Sequence, residues 1–94
     1  MYLLIIWQAE LKIRKSTDKQ VMSTFSERIK ELRLEQNLTQ GQLGEIIGLK
    51  HFSIYSYEKG RSCPEMKSLI ALADYFNVSI DYLTGRTDKR EINS

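Results

Sequence analysis

Cysteine, histidine and proline each occur once in this chain of 94 residues. Cys63 has no second cysteine to pair with inside the chain, which excludes a disulfide-stapled secreted scaffold and makes a reducing compartment the easier setting. Cys63 and His51 together fall short of the several ligands a structural zinc requires, so no metal site is expected. One proline and five glycines exclude low-complexity and collagen-like chains. Long apolar runs are missing too. The run from Tyr2 to Trp7 is six residues, whereas a spanning helix needs about 20. It has neither the basic lead-in nor the small-residue cleavage pattern of a secretory signal. The expectation is a cytoplasmic protein with no membrane contact and no cofactor. An excess of one charge is also lacking: 14 basic against 12 acidic side chains leave a net +2. That excess resides in residues 1–23, where Lys12, Arg14, Lys15 and Lys19 face only Glu10 and Asp18. Any positive field for nucleic acid must therefore be local.

What is present fits one soluble domain, with 41% apolar and 28% charged residues. Three sections follow from the patterning. In residues 1–21, Trp7, Ala9, Leu11 and Ile13 alternate with Gln8, Glu10, Lys12 and Arg14, the period of a half-buried strand. A helix competes, because Gln-Ala-Glu-Leu-Lys is good helical composition. A lone strand needs a partner, so the strand over 3–14 is expected to pair with its copy in a second chain. Lys15 to Gln20 reads as a linker, and Met22 as the start of the next unit.

Residues 22–86 carry helical patterns. Phe25, Ile29 and Leu32 form the stripe of a first helix ending near Asn37. Thr39 and Gln42 make a capping-box pair opening a second helix, Gln40 to Ile47, which Gly48 closes. A third runs from about Lys50 to Glu58 and stops at Lys59-Gly60. Pro64 is placed in the first turn of a fourth helix with Leu69, Ala73 and Phe76 on its inner face. Ser79 caps a fifth, which turns Ile80 and Leu83 inward and ends at Gly85. Residues 87–94 read as a frayed polar tail.

The second and third helices have the spacing of a helix-turn-helix. Leu43, Ile47, Leu49, Ile54 and Tyr57 take the buried positions, Gly44 the close approach and Gly48 the turn. On the third helix, the side opposite Ile54 and Tyr57 carries Phe52, Tyr55, Ser56 and Lys59. Hydroxyl, aromatic and basic groups suit base edges, and Phe52 suits a thymine methyl. The competing readings are a protein-contact patch for Phe52 and Tyr55, plain solvation for Lys59 and Arg61, and mere capping for Thr39. Their place just past the third helix favours phosphate for Lys59 and Arg61, and helix-start amides do so for Thr39 and Gln40.

The runs Leu38-Thr-Gln-Gly-Gln-Leu-Gly-Glu-Ile-Ile-Gly-Leu and Ser53-Ile-Tyr-Ser-Tyr-Glu-Lys-Gly resemble the helix-turn-helix of the phage repressor and Cro type. Leu69-Ile-Ala-Leu-Ala and Phe76-Asn-Val-Ser-Ile-Asp-Tyr-Leu-Thr-Gly are similar to that family's fourth and fifth helices. The resemblance spans about residues 22–86. It implies an all-α, five-helix, lambda-repressor-like domain whose third helix enters the major groove. It puts Lys50, His51, Phe52 and Tyr55 at base edges, where the outward side of the third helix adds Ser56; Thr39, Gln40, Ser53, Lys59 and Arg61 are the expected phosphate contacts. It also sets Arg33 and Glu58 face to face as a clamp. Where the family often carries a Ser or Thr cap and Arg, Gln or Asn readers, this chain has Lys50, His51 and Phe52, which points to an A·T-rich site read by shape and methyl contact.

The expected function is transcription regulation, as a repressor of prophage or mobile-element type, by a homodimer on a palindromic double-stranded operator. Half-sites one helical turn, roughly 34–36 Å, apart are expected. A protein-interaction module, an antitoxin or anti-regulator using the N-terminal strand, is the alternative. An enzyme is not expected: no nucleophile–base pair, phosphate loop or HExxH stands in the sequence, and no small-molecule site is evident.

Overall fold

The computed structural model describes residues 18–92, as five helices with no strand among the described residues. They are α1 (Asp18–Glu35), α2 (Gln40–Ile47), α3 (His51–Glu58), α4 (Met66–Phe76) and α5 (Ile80–Leu83). This is the all-α, five-helix architecture the patterning predicts. The expected strand over residues 3–14 lies outside the described residues. No helix of the described residues is long and apolar enough to cross a membrane.

The core takes one fully buried aliphatic side chain from each helix: Ile29, Leu43, Ile54, Leu72 and Leu83. Such a side chain contributes about 1.5–3 kcal/mol through burial. Phe25, Leu32, Tyr57, Phe76, Val78 and Tyr82 close around them, and Leu38, Ile47, Leu49 and Leu69 pack at the margin. The apolar stripe expected on α1 is buried throughout, while on α4 Leu69 is only half covered.

All five helices end in the same backbone closure, in which a residue at positive φ lets the next amide reach a carbonyl five residues back. The residues at positive φ are Asn37, Gly48, Gly60, Asn77 and Gly85. The closing bonds run from the amides of Leu38, Leu49, Arg61, Val78 and Arg86 to the carbonyls of Arg33, Gly44, Ser56, Ala73 and Asp81, at 2.7–3.2 Å. At the opposite ends, the capping box forms as predicted. Thr39 Oγ1 accepts from the Gln42 amide at 3.0 Å, and Gln42 Oε1 accepts from the Thr39 amide at 2.8 Å. Ser79 Oγ likewise accepts from the Tyr82 amide at 2.9 Å.

Four expectations are corrected. α1 begins at Asp18, so Asp18 to Gln20 are helical and not linker. Pro64 stands two residues before the first turn of α4, because Glu65 is the extended cap residue and Met66 the first helical one. Ile80 is 39% exposed. It shares a side of α5 with Leu83 but stands at the lip of the domain, beside a shallow groove it lines with Val78 and Ile92. The stretch after Arg86 is not frayed through Arg90. Arg28 on α1 donates to the carbonyls of Tyr82 and Thr87 and to Asp88, the last two at 2.7 Å. Arg90 donates to Glu35 at 2.7 and 3.0 Å, and its carbonyl accepts from the Ser79 amide at 2.9 Å. The Tyr82 ring lies 4.2 Å from the Arg28 guanidinium and 5.4 Å from that of Arg90. Polarity alone reads as fraying; two arginines with carbonyl, carboxylate and ring partners make it a strap across α1.

The hydrogen bond from Arg90 holds the Glu35 carboxyl below its ordinary value of 4.5. A lowered carboxylate favours the docked strap above that value, and the contribution is lost as pH falls through the folded-state midpoint. A side-chain NMR titration is expected to place the Glu35 midpoint below 4.5 and to return it there in Arg90→Ala. Packing at the glycines yields a second test. A methyl at Gly44 would meet Leu49 O at 2.6 Å, and that backbone cannot retreat easily because the Leu49 amide bonds Gly44 O at 2.7 Å. Gly41 has its nearest obstacle at 3.8 Å. Gly44→Ala is expected to destabilise by about 1–3 kcal/mol, whereas Gly41→Ala leaves the urea midpoint unchanged or raises it.

Candidate nucleic-acid interface

An eight-residue helix is marginal alone, and the N-cap of α3, Lys50, makes no side-chain capping bond. Its position therefore depends on its neighbours. At its start, the close approach at Gly44 sets the Leu49–His51 backbone against α2, and the Cβ atom of His51 faces Gly41. At its end α1 takes over. Phe25 meets Tyr57 edge-on with ring centroids 6.0 Å apart, and the Ser26 hydroxyl lies 2.6 Å from the Tyr57 carbonyl.

The clamp forecast between Arg33 and Glu58 is present and bidentate: Nε to Oε2 at 2.6 Å and Nη2 to Oε1 at 2.9 Å. The two side chains are 10% and 4% exposed. Arg33 also donates to the Leu38 carbonyl at 2.7 Å, and Gln40 Nε2 donates to Glu58 Oε1 at 3.1 Å. One carboxylate thus ties the end of α1, the start of α2 and the end of α3. Gln40 was expected only at a phosphate; its membership in the clamp was missed. Glutamine at the first position of α2 gave no local signal for it, since Glu58 is eighteen residues away.

The predicted readers separate into two groups. Lys50, His51 and Phe52 are exposed, Phe52 at 65%, and Tyr55 is half-buried. Phe52 and Tyr55 are neighbours, with centroids 6.3 Å apart and planes at 31°. Ser56 is 7% exposed and does not join them. A wheel with one buried side places Ser56 outward, but α3 is held by both α1 and α2 and then overlaid by its own closing turn, where Arg61 bonds the Ser56 carbonyl. Among the residues expected at phosphates, Thr39, Lys59 and Arg61 are exposed, while Ser53 and Gln40 are half-buried. Lys59 and Arg61 each set their charge 5.8 Å from the Tyr55 ring centroid, making a cationic rim at one end of the aromatic pair. The only carboxylate of α3 is Glu58, and it is closed inside the clamp.

These elements coincide with a known pattern. A family model described as Helix-turn-helix matches residues 29–83. The chain belongs to the helix-turn-helix family of the phage repressor and Cro type. Among curated relatives, it is 39% identical over 69 residues to the cryptic phage CTXphi transcriptional repressor RstR of Vibrio cholerae, covering 71% of this chain and 62% of that protein. It is likewise 39% identical over 59 residues to the HTH-type transcriptional activator BcrR of Enterococcus faecalis, covering 63% of this chain but 29% of that protein. The chain therefore spans under two thirds of the length of either relative. Among solved structures, the P22 c2 repressor in complex with a synthetic operator is 30% identical. That alignment covers 63% of this chain and 89% of the repressor, with a TM-score of 0.61.

Within this helix-turn-helix, Glu58→Ala is expected to cost about 3–5 kcal/mol, because it strands the buried Arg33 charge. Glu58→Gln keeps the shape and one acceptor, so its loss should be smaller but distinct. Urea unfolding of both variants checks this, and full stability in Glu58→Gln would show that the charge of Glu58 does not matter.

Proposed function

We propose that this chain is a sequence-specific double-stranded DNA-binding regulator of transcription, a repressor of prophage or mobile-element type, acting as a homodimer on a palindromic operator. The observation that carries the reading is the exposed edge of α3, from Lys50 through Phe52 to Tyr55, with Lys59 and Arg61 beside it and no open carboxylate on the helix. Such an edge fits a groove between two rows of phosphates. The operator complex of the similarly folded P22 c2 repressor supports it.

In this reading Lys50, His51, Phe52 and Tyr55 face the base edges. Lys59, Arg61, Thr39 and Ser53 face phosphates. Gln40 contributes through the amides of the first turn of α2, since its side-chain nitrogen is engaged with Glu58. The clamp sets the angle at which α3 enters the groove. Two-fold symmetry comes from residues 3–14 pairing with their copy, and the matching half-sites lie about 34–36 Å apart. Because the basic and acidic totals nearly balance, affinity rests on few phosphate contacts and falls gently with salt.

Selection of bound duplexes from a random pool tests the proposal, and recovery of no preferred sequence refutes it. On the selected duplex, Lys59→Ala and Arg61→Ala are each expected to weaken specific and non-specific binding alike and to reduce the salt slope by about 1. Removing residues 1–17 should leave the five-helix domain folded while shifting the protein to monomer in sedimentation. A dimer that survives the deletion would place the symmetric contact elsewhere.

A further inference from the structure

The chemistry left on the α3 edge is narrower than its sequence implied. Two-pronged reading of guanine or adenine uses Arg, Lys, Asn or Gln. Lys50, at the start of the edge, is the one such side chain from there to Tyr55. Of the nearby candidates, Gln40 donates to Glu58, Arg33 lies in the clamp and Ser56 is buried, while Arg61 stands past the end of α3 beside the Tyr55 ring. The exposed apolar group of the edge is Phe52, 65% open to solvent and set at 31° to Tyr55 with 6.3 Å between ring centroids. Two rings at that angle make an open apolar angle, and the charges at the Tyr55 end hold it beside the anionic backbone.

We infer that Phe52 and Tyr55 form a receptor for the C5 methyl group of a pyrimidine in the major groove. This rests on the DNA-binding reading above and adds the ligand. The receptor recognises the methyl itself, so thymine and 5-methylcytosine present the same group and uracil and cytosine lack it. Base preference at that step is thus a burial effect, not a hydrogen-bond pattern. Methylation of cytosine at that step strengthens binding.

The full-length protein is titrated against its selected duplex in three forms. In one, each thymine of the half-site is replaced in turn by uracil; in another, cytosine stands at the methyl-contacting step; in the third, that cytosine is 5-methylcytosine. Loss of one buried methyl is expected to weaken binding about fourfold, and methylating the cytosine to recover a similar factor. In Phe52→Ala, an exposed position whose folding is checked by circular dichroism, both differences should vanish; Tyr55→Ala should diminish them. Equal affinity for thymine and uracil duplexes overturns the methyl receptor and leaves the DNA-binding reading standing. A thymine–uracil difference that persists in Phe52→Ala also overturns it, by placing the receptor on other residues. Absence of any selected duplex overturns both.

Discussion

The rest of the structure depends on the buried ion pair between Arg33 and Glu58. Its two side chains come from the last turns of α1 and α3, and Leu38 O and Gln40 complete its hydrogen bonding. A buried pair of this kind adds little net stability compared with an apolar replacement, but either member alone would be a stranded charge. Geometry is therefore what it contributes. It forces the end of α3 into one register against α1 and admits no sliding. Since α3 is short and lacks a capping side chain, no local interaction can supply that register.

Around the clamp, the chain reverses direction by a repeated backbone device. Each helix gives its last carbonyls to amides just beyond a residue at positive φ, so the reversals leave few unsatisfied groups and need few residues. Short reversals bring five helices together around five aliphatic side chains. At the α2–α3 junction the same device has a second consequence. The Leu49 amide closes on Gly44 at the point where only a hydrogen fits, so the turn and the helix crossing are set by one contact. The strap after α5 adds cation–ring and carboxylate contacts on the far side of α1, whose exposed pairs are individually weak.

The α3 edge shows the opposite economy. Leaving Phe52 in water forgoes burial that a core position would have gained. Local departures of this sort, an uncapped helix start and an exposed ring beside two cations, are what a site tends to require of an otherwise consistent fold. A nearly neutral chain thus concentrates its chemistry on one edge, with apolar groups along it and charge at the margin.

The sequence by itself determined the five helices of the described residues, the limits of α2, its capping box, the core stripe of α1 and the two special glycines of the turn. These features follow from short-range periodicity and from backbone preferences that each residue carries with it. It also determined the pairing of Arg33 with Glu58, through resemblance to a family pattern and not through spacing. Only the tertiary structure decided that Ser56 is buried, that Gln40 joins the clamp, that Ile80 stands at the rim and that Thr87 to Arg90 are strapped to α1. Each of these depends on what a second or third segment covers, and a helical wheel sees one helix with a single buried side. Long-range neighbours set exposure, and exposure separates the residues that can be touched from those that only hold them in place.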